Sequence, residues 1–278
     1  MIRMTIVVAG LAIALINPAF SQGSPYSFVR GYPTPETTQR VREDANFQGA
    51  VTAYRFWYPM VSTEGIFDGN RSVGIEDGKA WGIAAAGPRQ VGFTLNSDTP
   101  YGSGVVDVSN GPMVIELPPG AFIGLVNDHH QGWVMDMGLP GPDKGRGGKH
   151  LILPPGYTGR VPDGYQVGRS RSLKNLFAIR ALPIGGDIAK TMDALRAVKV
   201  YTLATAGNPQ PLQIIDTTER AMDSSSLRWE DNIQFWEILS RIIQDEPLVA
   251  SFLPMYGLLS ALGVENGEPF NPDARTRV

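Results

Sequence analysis

The sequence predicts an α+β protein: an N-terminal helix, an antiparallel β-sandwich of immunoglobulin-like or jelly-roll-like type, and a C-terminal helical segment. Three observations predict it. Apolar residues recur every three or four positions from Glu36 to about Val61. From about Gln90 to Leu182 the chain breaks into short runs rich in Val, Ile and Phe, separated by Gly and Pro. Helical periodicity then returns after Asp187. At 278 residues the chain can form one large domain or two modest ones.

The first helix follows a Pro- and Gly-rich lead-in, Gly31 to Pro35, and Pro35 suits a first helical position. Val41, Ala45, Tyr54, Trp57, Tyr58 and Val61 mark its apolar face, with Arg42, Glu43 and Asp44 turned to water. The aromatic cluster from Tyr54 to Tyr58 reads as core rather than as a ligand platform. Strands are expected at Gln90–Leu95, Gly104–Val108, Met113–Leu117, Phe122–Asp128, His150–Leu153, Tyr165–Arg169 and Leu176–Leu182, divided by turn signals such as Ser109-Asn-Gly111 and Pro118-Pro-Gly120. Short strands at this spacing indicate a sandwich or barrel. Helices are expected from Asp187, a candidate N-cap, to about Val200, from Ser226 to about Gln244, and from Pro247 to Leu262, where Gly263 stops the last.

The N-terminus carries one arginine within Met1 to Met4, an apolar run from Thr5 to Ile16 and small residues at alternate positions before Ser21. That order is a secretory signal over residues 1–21, because about 12 apolar residues fall short of the roughly 20 needed to span a bilayer. The expected organisation is therefore a signal peptide (1–21), a helix plus sandwich domain (22–183) and a helical domain (184–278). No stable membrane anchor is expected after cleavage, and the expected location is periplasmic or secreted. The sequence has no cysteine, which excludes disulfides, thiolate metal sites and cysteine nucleophiles. A net charge of −3 with no block of like charge gives no electrostatic footprint for nucleic acid.

The stretch from Val126 to Leu151 holds all three histidines. Its Gly-rich run, Gly141 to His150, lacks the spacing of a phosphate-binding loop, since Asp143 stands where the first glycine is needed and His150 where the hydroxyl is needed. Ser103 lacks the glycine of a nucleophile elbow, and neither HExxH nor an EF-hand loop occurs. If the strand from Phe122 continues to His130, Asp128 and His130 share one face and His129 takes the other. Asp128 could then orient the His130 imidazole, leaving its other nitrogen for a proton or a divalent metal. Asp136 supplies a further carboxylate and Trp133 a stacking surface. In the second candidate stretch, Thr94 to Tyr101, Asn96 and Asp98 can build an Asx-type turn or serve a site. Arg180, with apolar neighbours, reads as a charge pointing inward and paired with an acid.

Several stretches together resemble the bacterial family named for domain of unknown function 1254. They are Ala50 to Ser62 (AVTAYRFWYPMVS), Asn96 to Tyr101 (NSDTPY), Gly111 to Pro118 (GPMVIELP), Gly138 to Gly156 (GLPGPDKGRGGKHLILPPG) and the strand closing at Arg180. The likeness spans about residues 36–200, and the helical part to Phe270 looks like the segment leading into a second module, domain of unknown function 1214. The resemblance implies a β-sandwich, then helices, then a C-terminal jelly roll, and by that standard the chain looks truncated before the jelly roll.

Three readings follow from the sequence. The first is an exported enzyme acting on a small polar or carbohydrate-like molecule by acid-base or metal-assisted chemistry. In it Asp98 and His130 form the proton-transfer or metal-ligand pair, Asp128 orients, and Asn96, Tyr101, His129, Trp133, Asp136, Lys149 and Arg180 bind substrate, Lys149 or Arg180 holding an anion. The second is a noncatalytic envelope module binding a ligand, a protein or a second copy of itself. The third is a partial gene product without activity. The first has a geometric requirement, that the Asn96 turn meet the histidine-bearing strand across a common hollow; the second would use the exposed loop Gly138 to Gly148 as its contact surface.

Overall fold

The structure, a computed structural model, describes residues 24–92, 95–183, 185–225 and 232–272. The leader expected over 1–21, residues 93–94 of the first expected strand, the start of the helix expected from Ser226 and the end of the tail at 273–278 lie outside the described residues. Two compact units divide the chain, 1–47 and 48–278. In the first, β1 (Phe28–Val29) and β2 (Tyr32–Pro33) pair antiparallel. Helix α1 (Pro35–Ser72) starts on Pro35 as expected, and the Thr34 hydroxyl accepts the Thr37 N–H at 3.2 Å, satisfying one of the free donors of the first turn. The helix passes its expected end at Val61 and includes Pro59.

The second unit holds the rest of α1 and β3 (Ala80–Ala84), β4 (Gln90–Val91), β5 (Tyr101–Asp107), β6 (Met113–Leu117), β7 (Phe122–Asp128), β8 (Trp133–Gly138), β9 (Gly148–Leu153), β10 (Tyr165–Arg169) and β11 (Lys174–Ala181). It continues with α2 (Ile188–Arg196), β12 (Lys199–Thr202), β13 (Gln213–Asp216), β14 (Met222–Asp223), α3 (Gln234–Asp245) and α4 (Leu253–Ser260). The large sheet has the order β13-β3-β5-β11-β7-β8, a smaller one β10-β9-β6-β12, and β14 pairs with β4. The chain is thus a mixed helix and strand protein with a large sheet and helices towards both ends. The expectation of an all-antiparallel arrangement is corrected: β13 with β3, β10 with β9 and β14 with β4 are parallel. The reason is connectivity, since β13 and β14 return to their partners only after long crossovers, which hairpin turns cannot make.

One apolar cluster draws on both sheets, with Ile83, Val126 and Ile179 from the large sheet and Ile115, Ile152 and Val200 from the small one. Met192 and Leu195 of α2 complete it, and the Asp187 side chain caps that helix by accepting the Lys190 N–H, as expected. Gly102 and Gly104 allow this packing: a Cβ on either would lie 2.6–2.7 Å from the Trp81 side chain, which crosses β5. A second cluster joins Trp57, Met60 and Val61 of α1 to Leu239, Ile242 and Ile243 of α3. Each such fully buried aliphatic side chain contributes about 1.5–3 kcal/mol.

Strand alternation gives the large sheet two different faces. On β11, Phe177, Ile179 and Ala181 enter the shared core, so Leu176, Ala178 and Arg180 face the other way. There Leu176 and Val105 pack with Phe67 and Ile66 of α1. The sheet therefore has the small sheet and α2 on one side and α1 on the other.

Candidate functional site: the cavity beneath the long helix

Between α1 and the outer face of the large sheet lies a cavity of about 690 Å³, within the roughly 300–1,000 Å³ usual for small-molecule sites. Its roof is one stripe of α1, Pro59, Ser62, Ile66 and Asn70, spaced so that successive side chains stack on a single helical face. Its floor is the alternating set of Tyr101 and Ser103 on β5, Leu176, Ala178 and Arg180 on β11, and Leu125 and Asn127 on β7. Gln90, Met222 and Ser224, from the β4–β14 pair, wall one side. The Gln90 carboxamide closes that wall by donating to the Thr217, Thr218 and Arg220 carbonyls.

Among the described residues Arg180 is the one charged residue in the lining. It sits opposite Tyr101 in the β11–β5 ladder, and its guanidinium carbon lies 4.9 Å from the centroid of the Tyr101 ring. The Asn96 amide donates to the Tyr101 hydroxyl at 2.9 Å, which fixes the ring from the far side. Asn96, Tyr101 and Arg180 were expected in one site, and they form a contiguous chain at the cavity. Among the described residues no acid pairs with Arg180; its neighbours there are an aromatic face and apolar side chains.

The histidines stand elsewhere. β7 ends at Asp128, so the alternation expected through His130 gives way to a turn in which the Gln131 N–H bonds the Asp128 carbonyl. Asp128 is 1% exposed and ties this turn together. Its Oδ1 accepts the backbone N–H of His130 and of Gly132, and its Oδ2 accepts Arg171 at 2.7 Å. It does not orient the His130 ring, which corrects the role expected for it. His130 packs instead against Trp57 and Phe252, with ring centroids 5.0 and 4.6 Å away. Burial lowers its pKa to about 4, the nearby Asp128 charge opposing the shift only in part. Asp98 is exposed in the Asx turn, its backbone N–H bonded to Asn96 Oδ1 at 2.9 Å. Neither Asp98, Asp128 nor His130 lines the cavity, so the expected proton-transfer pair is not assembled there.

His129, 1% exposed, is gripped between two acids that sequence reasoning passed over. Its Nδ1 lies 3.1 Å from Glu246 Oε1 and its Nε2 lies 3.2 Å from Glu64 Oε2. The second contact is an ion pair whose alignment falls short of a hydrogen bond. Glu246 also accepts the Leu173 and Lys174 N–H groups, and Arg71 pairs with Glu64 at 2.7 Å. Burial alone would lower the His129 pKa, but Glu246 and then Glu64 outweigh it and hold the ring's pKa above its ordinary value. Burial would raise the Glu64 pKa, but the His129 contact and then Arg71 bring it down to about 2. The two carboxylates meet opposite ring nitrogens, so the three groups do not converge on a point where a metal ion could sit. Among the described residues no cluster of three or more His, Asp or Glu side chains suits a metal.

Of the remaining candidates, His150 is fully buried, with Nδ1 3.2 Å from the Ile115 carbonyl and Nε2 3.2 Å from Asp143. Trp133 is 70% exposed, Asp136 is half-buried on β8, and Lys149 lies 5.9 Å from the Tyr165 ring centroid, on the small sheet. None of them lines the cavity. A signal for Glu64 was present in the sequence: it falls on the stripe of Trp57, Met60, Val61 and Phe67, an acid at a helical core position. No helix among the described residues is long and apolar enough to cross a membrane.

Residues 83–202 match a family model described as protein of unknown function (DUF1254). The matched segment is less than half of the chain. It contains most of the cavity floor, all three histidines and the small sheet, whereas the α1 roof precedes it and Thr217, Met222 and Ser224 follow it. No curated protein matches the chain in sequence. In fold the chain is similar to the crystal structure of the VPA0106 protein from Vibrio parahaemolyticus, with a TM-score of 0.60 and 16% identity, covering 83% of this chain and 55% of that one. The chain thus spans about half the length of its Vibrio neighbour. An uncharacterized protein from Burkholderia cenocepacia gives a TM-score of 0.31 at 14% identity, over 64% of this chain and 52% of that one, too weak a likeness to inform the fold.

Proposed function

We propose that the chain is an exported, noncatalytic module that binds a small molecule in the cavity between α1 and the large sheet. The observation that carries this reading is the composition of the lining. It joins a broad apolar surface to a few convergent polar groups, and among the described residues it contains no histidine, carboxylate or lysine. Acid-base catalysis most often uses one of those groups within reach of the reacting atom, so such a lining favours holding a ligand over transforming one. The shared core of the two sheets supports the sandwich reading, in which loops and faces of a rigid scaffold carry the site. The leader-like pattern over 1–21 and the lack of cysteine support export.

A neutral fluorescent apolar probe such as Nile red tests the cavity. The expected result is saturable binding to the wild-type protein and its loss in Ala178→Trp, which fills the floor, with the melting temperature kept. Equal binding by both proteins would place the probe elsewhere and overturn the reading. Export is checked by N-terminal sequencing of the full chain expressed in a Gram-negative host. A mature start at Gln22 in the periplasm is expected, and retention in the cytosol with Met1 in place would refute it.

A further inference from the structure

We infer that the ligand of this cavity is an organic anion with an apolar body, its single negative head held by Arg180. The inference rests on the cavity being the binding site and adds the class of molecule it takes. Arg180 has five N–H donors, and among the described residues none is spent on a hydrogen bond and no carboxylate neutralises the charge; its contact is the Tyr101 ring. An uncompensated guanidinium in a largely apolar recess is costly, and a ligand anion removes that cost by pairing with it. The ring beneath the guanidinium fixes its plane, so its donor edge is presented in one orientation, the geometry suited to a carboxylate or phosphate head. Tyr101 is in turn held by Asn96, so the head-binding end is built before the ligand arrives.

The rest of the floor specifies the body. From Arg180 the β11 face runs through Ala178 to Leu176, which stands opposite Asn127 on β7. Four residues of strand give about 13 Å of apolar track, with Ile66 above it. At the far end are the amides of Asn127 and Gln131, which carry no net charge. Among the described residues the lining has one cation and no anion, which sets the sign and number of the ligand's charges: one negative head, with no ammonium partner. A free sugar, which offers hydroxyls on every face, would leave most of them unmatched against this track.

Displacement of Nile red tests the inference with decanoate, decyl phosphate, decanol and decyltrimethylammonium. At least a tenfold preference for one or both anions over decanol is expected, and the two anionic arms tell a carboxylate head from a phosphate head. In Arg180→Met the preference should vanish while decanol binding stays within twofold, and Arg180→Lys should keep much of it. Equal affinity for anion and alcohol, or a preference that survives in Arg180→Met, would overturn the anion assignment and leave the cavity reading standing. If the probe does not bind, or none of the four compounds displaces it, the cavity reading falls and this inference with it. Thermal unfolding of both variants separates loss of the head contact from loss of the fold.

Discussion

Replacing Glu64 by glutamine keeps the volume of the side chain and an acceptor for Arg71, but removes the charge that faces His129 Nε2. The Glu64 pKa falls from 4.5 to about 2 in the folded protein, and about 1.4 kcal/mol per unit makes this a stabilisation of about 3 kcal/mol. Because the folded value lies below the unfolded one, this contribution is complete above about pH 4.5 and is lost as the pH falls towards 2. His129 behaves in the opposite sense: its pKa is raised, so its contribution is complete below 6.5 and is lost as the pH rises through the folded value. Urea unfolding of the wild type and Glu64→Gln at pH 6 should therefore differ by about 3 kcal/mol, and about half of that difference should be gone at pH 3.5. Comparing the two proteins at each pH cancels the groups that do not interact with Glu64, leaving Glu64 and the partners coupled to it, His129 and Arg71. A difference below about 1 kcal/mol at pH 6, or one that does not shrink on acidification, would refute the claim that a charged Glu64–His129 pair holds α1 to the β7–β8 turn.

Two further outcomes follow from local geometry. Gly138→Ala should cost about 2 kcal/mol or more in urea unfolding, because Gly138 has φ +77° and an added Cβ would overlap the Phe122 carbonyl; a change under 0.5 kcal/mol would contradict this. His130→Phe should leave probe binding in the cavity within twofold of wild type, since His130 sits among aromatic rings outside the lining and is neutral at pH 7. Loss of binding in a folded His130→Phe protein would return the site to the histidine stretch.

The elements legible in the sequence are those whose signal is local. Met113–Leu117, Phe122–Asp128 and Tyr165–Arg169 are found where alternation and bracketing Gly and Pro place them. The cap at Asp187 and the start at Pro35 follow from the chemistry of single residues. Strand β3 was not foreseen, because a strand buried on both faces, such as Ala80–Ala84, shows no alternation to read; β8, β12 and β13 were not foreseen either. The site divides in the same way. Asn96, Tyr101 and Arg180 were legible as polar groups beside strands, and they meet because β5 and β11 are neighbours in the ladder. The pairing of His129 with Glu64 and Glu246 was not, because those acids lie 65 and 117 residues away in the chain. Density of histidine drew the first assignment, yet two of the three histidines are fixed by buried partners and the third by aromatic packing.

The clamp and the cavity interleave along the same segments. On α1, Glu64 lies between the roof residues Ser62 and Ile66, about 200° around the helix from each, so one side of the helix is held by charge while the other covers the cavity. At the end of β7, His129 lies between Asn127 and Gln131, and again the central residue turns away while its flanking neighbours line the hollow. Glu246, at the C-cap of α3, bonds the Leu173 and Lys174 N–H groups where β11 begins, two residues before Leu176 joins the floor. Roof and floor are therefore joined through one buried imidazole. An apolar recess above a sheet tends to close, since closing it buries apolar surface, and in this lining the charge of Arg180 opposes that. The clamp fixes α1 from the side away from the cavity: moving the helix would separate Glu64 from His129, although each would keep its other partner, Arg71 and Glu246. Hence the charges of this unit need not touch the cavity to shape it: they fix the helix that roofs the space proposed to bind the ligand.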